Sequence, residues 1–308
     1  MQAGGLHGQA AGCRTADEDG EDGRVRMADE LFDRALLRRR RARHAPSDRN
    51  ADSFFLHEAA ERLLAERLAD HRRGWRRALV MGVVRALSVP AETVIHADLT
   101  AERLPGRAGL VCDDAALPLA DDSLDLVVSS MLLHWANDPP AVLAEARRVL
   151  RPDGLFLAIA LGEETLRELR AALYEAEDAI SGGIHPRVIP FLPLRQAGDL
   201  LQRAGFALPV VDLEPLVVRY HAPERLLADI RAMGESQVLT SRSPWSRRLQ
   251  AATLAALDAR RDAQGLIPVT FHFIVMAGFK PAPGQPQPAR RGSGRVSLAA
   301  VLGRHPRG

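Results

Sequence analysis

Two stretches, "IHADL" at Ile95–Leu99 and "LVCDDAALPL" at Leu110–Leu119, each run from apolar residues into aspartate, at Asp98 in the first and at Asp113 and Asp114 in the second. Carboxylates at the tips of neighbouring strands suit a nucleoside. One can accept both ribose hydroxyls and another the exocyclic amine of adenine, each charge-assisted bond being worth about 1.5–3 kcal/mol in a dry site. A single aspartate at a strand end is an ordinary cap or turn residue. Two at successive strands, followed by "LPLADDSLDLVVSS", form a much more specific pattern. Ligands of open doubly wound sheets lie outside the carboxyl ends of the strands, where the strand order reverses. The same edge is reached by Gly82 after the first strand and by the run from Ser129 to Trp135 after the fourth. A third stretch, "RALVMGVVRALSVP" at Arg77–Pro90, falls where a glycine-rich cofactor turn belongs, yet it holds one glycine among valines.

The elements that would position these residues alternate as a parallel sheet requires. A basic helix is expected from Glu30 to Arg43, with Phe32, Leu36 and Leu37 along one side, followed by an amphipathic helix through "FFLHEAAERLLAERLADH". Strands follow at "RALVMGVV", "TVIHADL", "GLVCD" and Asp125–Ser130. A helix starts at Pro139 and Pro140, then come a tight "RPDG" turn and the strand "LFLAIAL". Strand and helix in this succession imply right-handed crossovers and an α/β, doubly wound, mostly parallel seven-stranded sheet. Beyond it come a helix from Glu164 to about Ile180, a helix capped at Gly205, the extended "ALPVVDLEPLVVRY", and helices near Pro223–Met233 and Trp245–Asp262. The last strand, "IPVTFHFIVMAGFK", is expected antiparallel, in a hairpin at the sheet edge. The expected organisation is a disordered tail (1–28), one domain (29–280) and a second tail (281–308). Within the domain lie N-terminal helices (29–76), a cofactor-binding half (77–165) and a C-terminal half (166–280) that meets the substrate or partner. Met27 offers an alternative start.

Composition narrows the chemistry. Of the 308 residues 46% are apolar, enough for a large core, and 41 basic against 39 acidic residues leave a net charge of +2, so no nucleic-acid partner is expected. Lys280 is the single lysine, which almost excludes Schiff-base chemistry. Cys13 and Cys112 form no metal-ligand spacing and no disulfide framework, and no apolar run reaches the length of a spanning helix. The cytoplasm is the expected compartment. The basic helix of residues 30–43 is either a solvated face or a contact for an acidic partner or an anionic membrane surface such as the inner membrane. No iron-binding triad can be read from His96, His134, His185 or His272, and no metal is expected.

The stretch from Asp113 through "HWANDPPAVLAEARRVLRPDGLFLAIALG" resembles the class I S-adenosylmethionine-dependent methyltransferases, of the kind related to the malonyl carrier-protein methyltransferases. With "LFDRALLRRRRAR", "SSMLLHW", "GEETLRELRAAL", "RAGF", "MGES", "VTFHFIVMAGFK" and "RGSGRVSLAAVL", it is similar, from about Leu31 to Gly303, to the methyltransferase-fold assembly factors of respiratory complex I. That family has mitochondrial and alphaproteobacterial members. The resemblance implies S-adenosylmethionine as cofactor, a complex I subunit as partner and, for the mitochondrial members, hydroxylation of a partner arginine. Carried over by position, Asp98 takes the ribose hydroxyls, Asp113 the adenine amine and Asp114 the adenine ring through its backbone N–H. Ser129 and Ser130 line the methionine part, and His134 and Trp135 border the substrate mouth. The family's acid and second and third glycines are here Val80, Val84 and Ala86, with only Gly82 kept. Strain is therefore expected at Val84, and restoring an acid and glycines is expected to tighten binding. Three readings stay open: an enzyme with a rebuilt cofactor loop, a non-catalytic assembly factor, and a methyltransferase for a small molecule or carrier protein.

Overall fold

The computed structural model describes residues 30–286 apart from 72, 85–86 and 106–108. The first tail, with Cys13 and Met27, and the "RGSGRVSLAAVL" segment lie outside the described residues, as does Ala86.

Seven strands make one sheet: β1 (Trp75–Met81), β2 (Ala91–Asp98), β3 (Leu110–Val111), β4 (Leu124–Ser130), β5 (Leu150–Leu161), β6 (Ala207–Tyr220) and β7 (Ile267–Phe279). Their order is β3-β2-β1-β4-β5-β7-β6. The first five run parallel, and β7 is antiparallel to both its neighbours, which is the class I methyltransferase arrangement expected. β6 and β7 form the expected antiparallel hairpin at the sheet edge, with β7 inserted between β5 and β6 and β6 outermost. Burial explains the placement. Every residue from Leu155 to Leu161 is buried, as a strand covered on both faces must be, whereas β6 alternates exposed and half-buried positions. The "RPDG" turn is absorbed into the start of β5 as an irregularity, with Asp153 at φ 63° and a register shift against β4 between Leu124 and Leu126.

Helices α3 (Pro139–Val149) and α5 (Leu194–Arg203) cover one face, packing Leu143, Ala146, Leu200 and Leu201 on Leu79, Val127, Phe156 and Ala158. The carboxylate of Asp138 caps α3 by accepting the Ala141 N–H at 3.1 Å. Gly205, at φ 78°, ends α5 as expected: its N–H donates to the Gln202 carbonyl and that of Phe206 to the Leu201 carbonyl. The other face carries α2 (Phe55–Ala69), α4 (Arg167–Ser181), α6 (Pro223–Ala232) and α7 (Arg247–Asp258) over Val80, Val128, Leu157, Phe271 and Phe273. In this second core, residues of all four helices meet.

The glycine-poor turn is rebuilt rather than strained. Only Gly82, at φ 71°, takes a left-handed conformation between β1 and β2 among the described residues, and Val83 and Val84 do not. Instead of facing a ligand, Val80, Val83, Val84 and Leu87 are buried in the core beneath α2. The described residues contain no helix between β1 and β2, and Pro90 accepts the Trp75 N–H directly before the second strand starts. The strain expected at Val84 is therefore absent. An acid at Val80 would sit in that apolar core, where an unpaired charge is costly, so the repair suggested by the sequence would be destabilising.

The basic helix is also not a solvated face. As α1 (Arg34–Arg43), capped by the Asp33 carboxylate on the Leu36 N–H, it buries Leu37 and Arg41 completely. The backbone ahead of it is stitched to residues 238–240: Asp33 donates to the Val238 carbonyl and Thr240 to the Leu31 carbonyl.

Gly82 is the position where this turn leaves no alternative. A Cβ there would overlap the Ser130 carbonyl oxygen and lie 2.8 Å from Leu132 Cγ, in addition to the left-handed penalty. Gly82→Ala should lower stability by roughly 2 kcal/mol or more in denaturant titration; an unchanged midpoint would show that the turn relaxes freely.

Candidate functional site

The strand tips are brought level by their hydrogen bonds. The Gly82 N–H donates to the Ala97 carbonyl, the Cys112 N–H to the Asp98 carbonyl and the Met131 N–H to the Ile159 carbonyl. Along this edge Asp98 is buried, and one carboxylate oxygen accepts the Thr100 N–H at 3.1 Å while Oδ2 has no partner. Ser129 and Ser130 are buried side by side, and neither hydroxyl oxygen has a partner. Met131 follows with φ 55°, a left-handed conformation costly for a non-glycine residue. Its carbonyl oxygen accepts Arg41 Nη2 at 2.8 Å.

The two aspartates after β3 behave differently from each other. Asp113 is half-exposed and closes its own turn by accepting the Ala115 N–H at 3.1 Å. Asp114 is the one turned inward. Its carboxylate is 3% exposed, shares a cleft of only about 10 Å³ with Asp98, Met81 and Leu132, and leaves Oδ2 unpartnered. Arg34 Nη2, from α1, bridges the pair at 3.0 Å to Asp113 and 2.5 Å to Asp114. Burial, reinforced by Asp113 and opposed by Arg34, pushes the Asp114 carboxyl up to about 6. Asp98 and Asp114 thus share one cleft, whose lining does not include the half-exposed Asp113.

Next to these tips lies an ionic cluster that the sequence did not announce. Glu235, in the "MGES" segment after α6, is buried with its carboxylate at the centre. Oε1 faces Arg41 Nη2 at 3.1 Å, His57 Nε2 at 3.4 Å and Arg103 Nη1 at 3.8 Å. Oε2 accepts the Trp135 indole N–H at 2.6 Å and faces His134 Nε2 at 3.6 Å. Burial alone would raise the Glu235 carboxyl, but Arg41 and the two histidines hold it well below the usual range, so it is ionised. The histidines are neutral. Burial brings His57 down to about 4 and lowers His134, whose Nδ1 accepts the Leu161 N–H at 3.3 Å and so leaves the proton on Nε2. The two buried guanidiniums, Arg41 and Arg103, face the acids Glu235 and Asp98.

His134 and Trp135 therefore belong to the ionic cluster, and Trp135 with Glu235 also walls a cavity of about 330 Å³. The rest of this cavity is largely apolar, formed by Leu161, Leu166, Ile189 and Phe191, together with Arg40, Arg231 and Arg187, the last held over the Trp245 ring. His96, His185 and His272 lie apart on β2, before α5 and on β7. Among the described residues no three His, Cys, Asp or Glu side chains converge as a metal site. Of the residues missed, Arg34 and Arg41 could have been found, because their spacing puts them on one stripe of α1 with the apolar Leu37 between them. Glu61, whose Oε1 accepts the Val84 N–H at 2.7 Å, carried no sequence signal.

The His57 imidazole gives the cluster a pH signature. Its folded value near 4 lies below the ordinary 6.5, so its contribution is full above 6.5 and is lost as pH falls toward 4, by up to about 3 kcal/mol. Asp114, raised to about 6, acts in the opposite sense, gaining stability as pH falls through 6. His57→Gln should flatten the loss between pH 6.5 and 4 relative to the native protein in chemical denaturation. Parallel pH profiles would mean that His57 is not the group being titrated.

A family model described as a methyltransferase domain (Methyltransf_11) matches residues 79–158. The mitochondrial arginine-hydroxylase NDUFAF5 of Danio rerio is 32% identical over 284 residues, covering 87% of this chain and 88% of its own. Its Homo sapiens counterpart is 33% identical over 286 residues, covering 88% of this chain and 83% of its own. The malonyl-[acyl-carrier protein] O-methyltransferase of Laribacter hongkongensis is 41% identical, but over 189 residues, 58% of this chain and 60% of its own. The first two matches extend over 87% and 88% of this chain, the third over 58% of it. The chain belongs to the family of NDUFAF5, built on a class I methyltransferase fold.

Proposed function

We propose that this chain binds S-adenosylmethionine at the strand tips and acts on an arginine side chain of a protein partner, a subunit of respiratory complex I, during assembly of that complex on the cytoplasmic side of the inner membrane. Four buried polar atoms that have no partner within the protein support the cofactor: Asp98 Oδ2, Asp114 Oδ2, Ser129 Oγ and Ser130 Oγ. They line the tips of β2, β3 and β4, so Asp98 and the acids after β3 would hold the nucleoside and the serines the amino-acid part. When bound, the cofactor supplies a methyl group activated on a sulfonium centre.

The observation that carries the acceptor assignment is Glu235, an ionised carboxylate walling the 330 Å³ cavity beside the strand tips. Apolar walls accommodate the methylene stem of an arginine, and a carboxylate meets its guanidinium. Oε2 is the oxygen for this, since it accepts the Trp135 indole alone and keeps a lone pair, whereas Oε1 already faces Arg41, His57 and Arg103. Trp135 and His134 fix the orientation of Oε2, and Leu161 and Phe191 keep water from the stem. The family relationship agrees, its curated relatives being named for arginine hydroxylation.

A second reading, an assembly factor without turnover, draws on Arg34, which pairs with both aspartates and leaves the cleft beside them almost closed. Binding separates the two. S-adenosylmethionine at about 100 times its dissociation constant should stabilise the native chain by roughly 2.7 kcal/mol in a thermal-shift or denaturant assay. Asp98→Asn should weaken calorimetric binding about tenfold. Mass spectrometry of complex I from cells lacking the protein should then show an arginine without the added oxygen or methylene it otherwise bears. Absence of any binding, with complex I still failing to assemble, would leave the second reading standing.

A further inference from the structure

Arg41 and Arg103 are each at most 2% exposed, and both have more donors than the protein satisfies. Arg41 Nη2 is used twice, on the Met131 carbonyl and on Glu235, but its Nε and Nη1 donate to nothing in the protein. Arg103 Nη2 donates to the Met233 carbonyl, its Nη1 stands 3.8 Å from Glu235, beyond hydrogen-bond reach, and its Nε and Nη1 are likewise unpartnered. Unpaired buried guanidinium donors are rare because the desolvation cost is high, and it is recovered when an anion accepts them.

Their position says which anion. Arg41 is anchored at the tip of β4 through Met131, and Arg103 follows the tip of β2 and feels the charge of Asp98. The two guanidiniums meet at Glu235, Arg41 also holding the residue after β4 and Arg103 coming from the turn after β2, the strands that neighbour β1 and its Gly82 turn in the sheet. That turn has lost two of its three glycines and the acid of the usual motif, so its backbone no longer offers the usual cradle. We propose that Arg41 and Arg103 form a carboxylate-binding subsite that takes the α-carboxylate of the cofactor's aminoacyl tail, replacing the contacts that the missing glycines would provide. The proposal rests on the cofactor reading above. Two guanidiniums converging from α1 and from the turn after β2 suit a carboxylate, to which each can donate one of its unpartnered N–H groups. Glu235 keeps both side chains oriented, and it tempers the repulsion between them.

The test uses the native protein and isothermal calorimetry, with S-adenosylhomocysteine and its analogue lacking only the carboxylate as probes. The intact ligand should bind at least tenfold more tightly. Arg103→Gln and Arg41→Gln should each bring its affinity down toward that of the decarboxylated analogue and leave the analogue's own affinity unchanged. A purely structural role for the arginines would instead weaken both ligands together. Equal affinities for the two ligands in the native protein would overturn the subsite while leaving the nucleoside site intact. Failure of both ligands to bind would overturn the cofactor reading and the subsite together. If either variant does not fold, the ligand comparison on the native protein still decides.

Discussion

Burying the Glu235 carboxylate is the act on which the upper part of this molecule depends. A lone carboxylate in so dry a place would cost several kcal/mol, and it is stable there only because Arg41, Arg103, Trp135 and two neutral histidines surround it. Those partners arrive from separate parts of the chain: Arg41 from α1, His57 from α2, Arg103 from the turn after β2, and His134 and Trp135 from the turn after β4. One carboxylate therefore fixes the N-terminal helices against the strand tips. It also holds Met131 in its left-handed backbone conformation, because the same guanidinium, that of Arg41, grips both Glu235 and the Met131 carbonyl. Removing the acid would leave two buried cations facing each other, which is far more damaging than the loss of one hydrogen bond.

The rebuilt turn after β1 follows the same logic of substitution. In a standard nucleotide-binding unit the first crossover helix covers the sheet, and its glycine-rich start approaches the ligand. Here α2, which precedes the sheet in the chain, supplies cover for Val80, Val83 and Val84, and its Glu61 takes the Val84 N–H. Valines are tolerated because their side chains are turned into the core and, among the described residues of the turn, only Gly82 visits positive φ. The turn is thus adapted to packing, and the polar contacts of the site come from elsewhere.

Much of the fold was legible in the sequence, and the reason is periodicity. The buried runs of β4 and β5 and the proline start of α3 are local signals, as are the Gly205 stop of α5 and the extended run of β6, and all of them survive in the structure. The insertion of β7 between β5 and β6 was not legible, because strand order is a long-range property that neither strand's pattern encodes. In the site, Asp98 and the pair Asp113 and Asp114 were recognisable as acids at strand tips. Which of the pair points inward depends on a turn whose geometry only the coordinates define. The most misleading stretch was "RALLRRRRAR". A run of arginines ordinarily means a solvated surface, but three-dimensional pairing turns Arg34, Arg40 and Arg41 toward acids and carbonyls, leaving Arg38, Arg39 and Arg43 exposed. Composition cannot distinguish these, because the partners lie up to about two hundred positions away, as Ser236 does from Arg40.

The interior position of β7 bears on how the chain is made. While residues 267–279 are still within the ribosome, β5 presents an unpaired edge whose last seven residues are all apolar, the kind of edge that pairs with any extended chain it meets. Phe55 near the start of α2 also waits for Phe271, its ring partner at 6.2 Å, so the N-terminal helices cannot complete their packing early. Synthesis from the amino end therefore yields a nascent protein that stays adhesive until residues 267–279 emerge. A truncation just short of the final strand would expose the same edge permanently and aggregate.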